Sequence, residues 1–168
     1  IMYHPLPTLA NPEDNTNDEY IELHNPTGSD VLLENAVGTW RIDGGVGYTF
    51  PANTTLGAGG YLVIVSFDPV LDLVARNAFL DSYVLANGVT MLCPYADKIA
   101  NRGERSALGR PQAPEPPAGT ISWVIVDEVI YSDQVPWSLD PDGTGKPLQR
   151  NLITTSGNNP GSWVVGVT

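Results

Sequence analysis

With 168 residues, 42% of them hydrophobic, the chain has one domain's length and enough apolar side chain to build a core without disulfides or structural metal. Its 19 acidic and 8 basic residues give a net charge of -11, which repels phosphate backbones and anionic bilayers and argues against nucleic-acid binding. Cys93 is the only cysteine, which excludes an internal disulfide, and no apolar run approaches the roughly 18 residues of a spanning helix, so membrane insertion is not expected.

Ile1-Met2-Tyr3-His4-Pro5 reads as the end of a strand, as if the domain were cut from a longer polypeptide. Glu13, Asp14, Asp18 and Glu19 follow, interleaved with Asn15 and Asn17. These are hard oxygen ligands placed just ahead of a strand, and they form a candidate Ca²⁺ site; the competing reading is a solvated acidic loop. In Tyr20-Ile21-Glu22-Leu23-His24, Ile21 and Leu23 face one way and the polar residues the other. That is the alternation of a strand with one buried face, and Asn25-Pro26-Thr27-Gly28 stops it. Short strands are predicted again at Val31-Leu32-Leu33, Trp40-Arg41-Ile42, Tyr48-Thr49-Phe50 and Tyr61-Leu62-Val63-Ile64-Val65. Gly57-Ala58-Gly59-Gly60 precedes a strand and has no Lys-Ser/Thr after it, so it reads as a turn needing positive φ and not as a phosphate loop.

A helix is predicted over residues 69–79, with Asp68 as cap, Pro69 in the first position and Val70, Leu73, Val74 and Asn77 at helical spacing. Cys93, inside Met91-Leu92-Cys93-Pro94, reads as a small buried hydrophobe. Lys98, Arg102, Arg105 and Arg110 are too sparse, and too interrupted by Glu104, for a nucleic-acid patch. The Pro-rich stretch 111–119 reads as an extended surface loop. A long strand is expected over Ser122 to Tyr131, with a bulge or bend near Asp127-Glu128. Asp140-Pro141-Asp142-Gly143 resembles the start of a Ca²⁺ loop but lacks the later bidentate Glu, so a turn is favoured. Final strands are expected near 147–150 and 162–165.

Strands this short, punctuated by Gly, Pro and Asn, predict an all-β fold, a β-sandwich of two mainly antiparallel sheets with one short inserted helix, as a single domain over 1–168. The expected core is Ile21, Leu23, Trp40, Ile42, Phe50, Leu62, Ile64, Val124, Val126 and Val129, with Trp40 as its central slab.

The ordered set Ile1-Met2-Tyr3-His4-Pro5, Asp18–Pro26, Trp40-Arg41-Ile42, Tyr48-Thr49-Phe50-Pro51, Leu56–Val63, Asn101-Arg102-Gly103-Glu104, Val126-Asp127-Glu128-Val129, Gly143–Arg150 and Trp163 spans nearly the whole chain. It resembles the lamin tail domain, an immunoglobulin-like sandwich, in its bacterial branch. The resemblance implies a module inside a larger secreted or envelope protein, often beside catalytic modules. Residues 67–95 and 111–119 look like insertions in that family's frame, and no heptad run supports filament assembly. His4 and His24 are the only imidazoles and are expected at the surface; neither Gly-x-Ser-x-Gly nor zinc-ligand spacing accompanies them. The expectation is therefore a non-catalytic interaction or spacer module of a bacterial extracytoplasmic protein, with a protein or glycan partner and no cofactor. The alternative is a Ca²⁺-dependent carbohydrate-binding accessory domain of an enzyme.

Overall fold

The computed structural model describes residues 1–9, 11–85, 88–116 and 119–167. The chain order is β1 (Tyr20–His24), β2 (Val31–Leu32), β3 (Glu34–Asn35), β4 (Gly38–Thr39), β5 (Arg41–Gly44), β6 (Tyr48–Thr49), β7 (Thr55–Leu56) and β8 (Tyr61–Val65). It continues with α1 (Leu73–Ser82), β9 (Met91–Leu92), β10 (Arg105–Gln112), β11 (Ser122–Ile130), β12 (Leu148–Arg150) and β13 (Trp163–Val165). The fold is mostly β. Its larger sheets run β1-β8-β9 and β11-β10-β5-β6, and smaller pairs are β12-β13, β2-β7 and β3-β4.

The alternation read in β1 has its partner in β8. The strands pair antiparallel with Ile21 opposite Ile64 and Leu23 opposite Leu62, which puts their apolar side chains on one face. Ile21, Leu62 and Ile64 meet Ile42, Tyr48, Phe50, Val129 and Leu148 in one apolar cluster fed by both larger sheets. Leu23 is half-buried against it. Two tyrosines outside the strands complete this core: Tyr3 and Tyr131 stack with ring centroids 4.7 Å apart, both buried.

β8 is buried on both faces. Its other side chains, Val63 and Val65, join Phe67, Ala75 and Phe79 in a second cluster. The rings of Tyr20, Phe79 and Tyr83 pack edge-on there at 4.9 to 5.8 Å. β8 and β9 pair in parallel, the exception among antiparallel ladders, because the α1 crossover brings the chain back in the same direction. The 67–95 stretch thus carries a helical layer on the far face of the β1-β8-β9 sheet.

Several sequence expectations need correction. The helix starts at Leu73, not 69: Asp72 is its cap, accepting from the Ala75 N–H at 2.9 Å. Asp68 instead holds a preceding turn through the Val70 and Leu71 N–H groups. The buried face is consequently Ala75, Phe79 and Leu80, while Val70 and Val74 are 77% and 82% exposed. Trp40 is not the central slab. It lies half-buried between β4 and β5, beside the core, and Tyr3, Tyr131 and Phe50 fill the centre. Along β11 only Val129 reaches the core. Val124 is half-buried and Val126 is 46% exposed. The register explains it: Leu108 faces Asp127 while Gly109 faces Ile125, so Val126 is an extra residue in a bulge that switches faces. Pro111 is also no loop residue; it is buried in β10, paired with Trp123, and the loop begins after Gln112. Pro117 and Ala118 of the Pro-rich stretch lie outside the described residues.

Candidate functional site

The structure sends the four acidic candidates in different directions. Glu13 is exposed, and Asp14 pairs with Lys98 at 2.5 Å. Asp18 accepts from Asn15 Nδ2 at 2.7 Å, and burial raises its pKa against the opposing hydrogen bonds from Asn15 and Ser82. Glu19 turns fully inward. Its Oε2 accepts from the Ile99 N–H at 2.9 Å and the Tyr95 hydroxyl at 3.1 Å, while Oε1 is buried without a partner among the described residues. Burial pushes the Glu19 carboxyl up to about 7; the Ile99 and Tyr95 hydrogen bonds and Lys98 oppose the rise, and Asp14 adds to it. Among the described residues no three His, Cys, Asp or Glu side chains converge as a metal site.

The other sequence candidates separate as well. Residues 140–143 form a turn in which the Asp142 N–H donates to the Leu139 carbonyl at 3.3 Å. The Asp142 carboxylate pairs with His4 Nδ1, so His4 is half-buried and not simply a surface residue, whereas His24 is exposed and stacks on Tyr61. Cys93 is half-buried against the second cluster, where burial first and Asp68 second raise its thiol pKa. Gly59 takes φ +65 in the turn before β8, the conformation the Gly-rich stretch suggested. The basic residues do not form a patch. Lys98 is held by Asp14, and Arg105 reaches Glu128 at 2.9 Å and Asp43 at 3.7 Å. Among the described residues, no helix is long and apolar enough to cross a membrane.

A different surface emerges at the tip of the β10–β11 hairpin. Pro111, Gly109 and Arg41 share one face with Trp123 and Ile125, because their register pairs run side by side across the sheet. On that face the Arg41 guanidinium lies 4.0 Å over the Trp123 ring. The opposite face carries Arg110 and Val124. It outruns the main core and is left as two adjoining clefts of about 300 and 190 Å³. Asn35, Val37 and Gln112 border one, Trp40, Ile125 and Val126 the other, and Arg110 and Val124 line both. Neither lining contains a carboxylate. Of the carboxylates around these clefts, Glu34 accepts from the Asn53 N–H, Asp127 binds Arg150 and Glu128 binds Arg105, while Glu115 in the hairpin loop is exposed. Among the described residues Arg110 has no ion-pair partner.

No family model, curated protein or solved structure matches the chain. The reading of this surface therefore rests on its own geometry. Sequence reasoning assigned Val124 and Val126 to the core and Arg110 to a sparse basic set. The available signal was the unalternated run Val124-Ile125-Val126, which suits an edge strand open to solvent as well as a strand buried on both faces.

Proposed function

We propose that this chain is a non-catalytic interaction module of a larger bacterial extracytoplasmic protein, built on an immunoglobulin-like sandwich of the lamin tail type. The sandwich reading is supported by the single apolar cluster that both larger sheets feed. The interaction reading is carried by one observation: a protein of net charge -11 presents, at one hairpin tip, a partly apolar cleft lined by an arginine and no carboxylate. A contiguous, partly apolar surface of this kind is characteristic of a recognition site.

The test is binding by the intact chain to a glycan array and to a displayed peptide library, each with Ca²⁺ and with chelator. Saturable binding that ignores Ca²⁺ is the expected result. Glycan binding that vanishes in chelator would establish the carbohydrate-accessory alternative instead. No binding in any arm would refute an interaction role.

A further inference from the structure

Building on that reading, we propose that the hairpin tip receives a short extended peptide of a partner protein, added as a strand along the free edge of β11 with a carboxylate seated on Arg110. β11 is the outermost strand of its sheet. Pro111 has no N–H to give, and its carbonyl accepts from Asn35 Nδ2 at 2.8 Å, on the side away from β11. Its partner Trp123 therefore makes no ladder bonds to β10, and the Trp123 N–H and C=O face outward; alternation places those of Ile125 the same way. These groups form a template for strand addition.

The template is short because its other end is closed. Asn158 Oδ1 accepts from the Ile130 N–H at 2.7 Å, and Asn158 Nδ2 donates to Glu128 at 2.9 Å. Gly157 lies so close that a Cβ there would sit 2.0 Å from the Glu128 carbonyl oxygen. With the bulge at Val126 as a further stop, the open edge runs over residues 122–126, enough for about four or five partner residues.

Charge selects the occupant. A second copy would bring its own net charge of -11 to the same place. A peptide carrying one carboxylate among apolar side chains meets Arg110 with its charge, and Ile125 and Val126 with the rest; these two are 45% and 46% exposed. A glycan's hydroxyls both donate and accept, but they are not fixed at the strand spacing that matches the outward N–H and C=O groups of Trp123 and Ile125.

The experiment titrates the isotope-labelled 168-residue chain with an end-blocked peptide alternating valine and threonine around one central aspartate. A second titration uses the same peptide with lysine in the aspartate's place. The aspartate peptide is expected to shift the Trp123 and Ile125 amide resonances, slow their hydrogen exchange, and bind about tenfold more tightly than the lysine peptide. Arg110→Glu, an exposed substitution, is expected to reverse that preference. Ile125→Pro, which removes an outward N–H, is expected to abolish binding without lowering the melting temperature; should it unfold the chain, Arg110→Glu decides alone. Equal binding of the two peptides, no binding, or shifts confined to another surface would overturn the assignment. So would a β11-dependent dimer seen in sedimentation. A protein or glycan ligand that ignores Arg110→Glu and does not compete with the peptide would overturn it while leaving the interaction role intact.

Discussion

Glu19→Gln is expected to change the pH dependence of stability between about pH 5 and about pH 8. In the folded chain the Glu19 carboxyl is pushed up to about 7, chiefly by burial, from an ordinary value of 4.5. Below the ordinary value both folded and unfolded chains hold the proton, and the contribution of this group is complete. As pH rises, the unfolded chain releases its proton first, so stability falls until the folded carboxyl also ionises near 7, and stays reduced above it. The gap corresponds to about 3 kcal/mol. Glutamine keeps a carbonyl oxygen that can accept from the Ile99 N–H and the Tyr95 hydroxyl, yet never ionises. Urea unfolding from about pH 5 to about pH 8 should therefore show the variant gaining about 2.5 kcal/mol relative to wild type, the rest of the gap being lost below about pH 5. Asp18 and Glu104 are raised by burial too, but they titrate in both proteins and drop out of the difference. A difference that stays flat with pH, or that favours wild type at the alkaline end, would refute the placement of this carboxyl.

Phe79→Ala, at the centre of the second cluster, is expected to destabilise the chain by about 3–5 kcal/mol in urea unfolding. Asp72→Ala removes the α1 cap and should cost about 1 kcal/mol, read by the same assay and by loss of helical circular dichroism. Gly103 holds φ +123, and a Cβ there would lie 2.5 Å from the Tyr131 carbonyl oxygen. Gly103→Ala should therefore lower stability by about 2 kcal/mol or more, visible as a reduced melting temperature.

Strand positions were legible wherever one face is buried and one is wet. Ile21, Ile42, Phe50, Leu62 and Ile64 follow from alternation and all lie in the main core. Legibility ended where tertiary context overrides local pattern. A tryptophan flanked by strand residues reads as core, but Trp40 falls where the β10–β11 hairpin extends beyond its neighbours. A bulge defeats parity along β11, since a single extra residue exchanges the faces of everything after it. Two caps in series, Asp68 and Asp72, made the helix start ambiguous from sequence. Glu19 was the hardest to foresee. Set among Glu13, Asp14 and Asp18 it reads as one more solvated acid, and its donors, Tyr95 and Ile99, are supplied by a segment about eighty positions downstream. The partly apolar, arginine-lined hairpin tip has the same origin, because only the register shows that Trp123 and Ile125 turn their backbone groups outward.

The double burial of β8 also sets an order for partial unfolding. If the helical layer peels away, Val63 and Val65 become wet while Leu62 and Ile64 keep their partners in the other cluster. Amides of the helix should then trade protons with solvent through a cheaper opening than those of the central strands, so the domain loosens from its helical side before it melts as a whole.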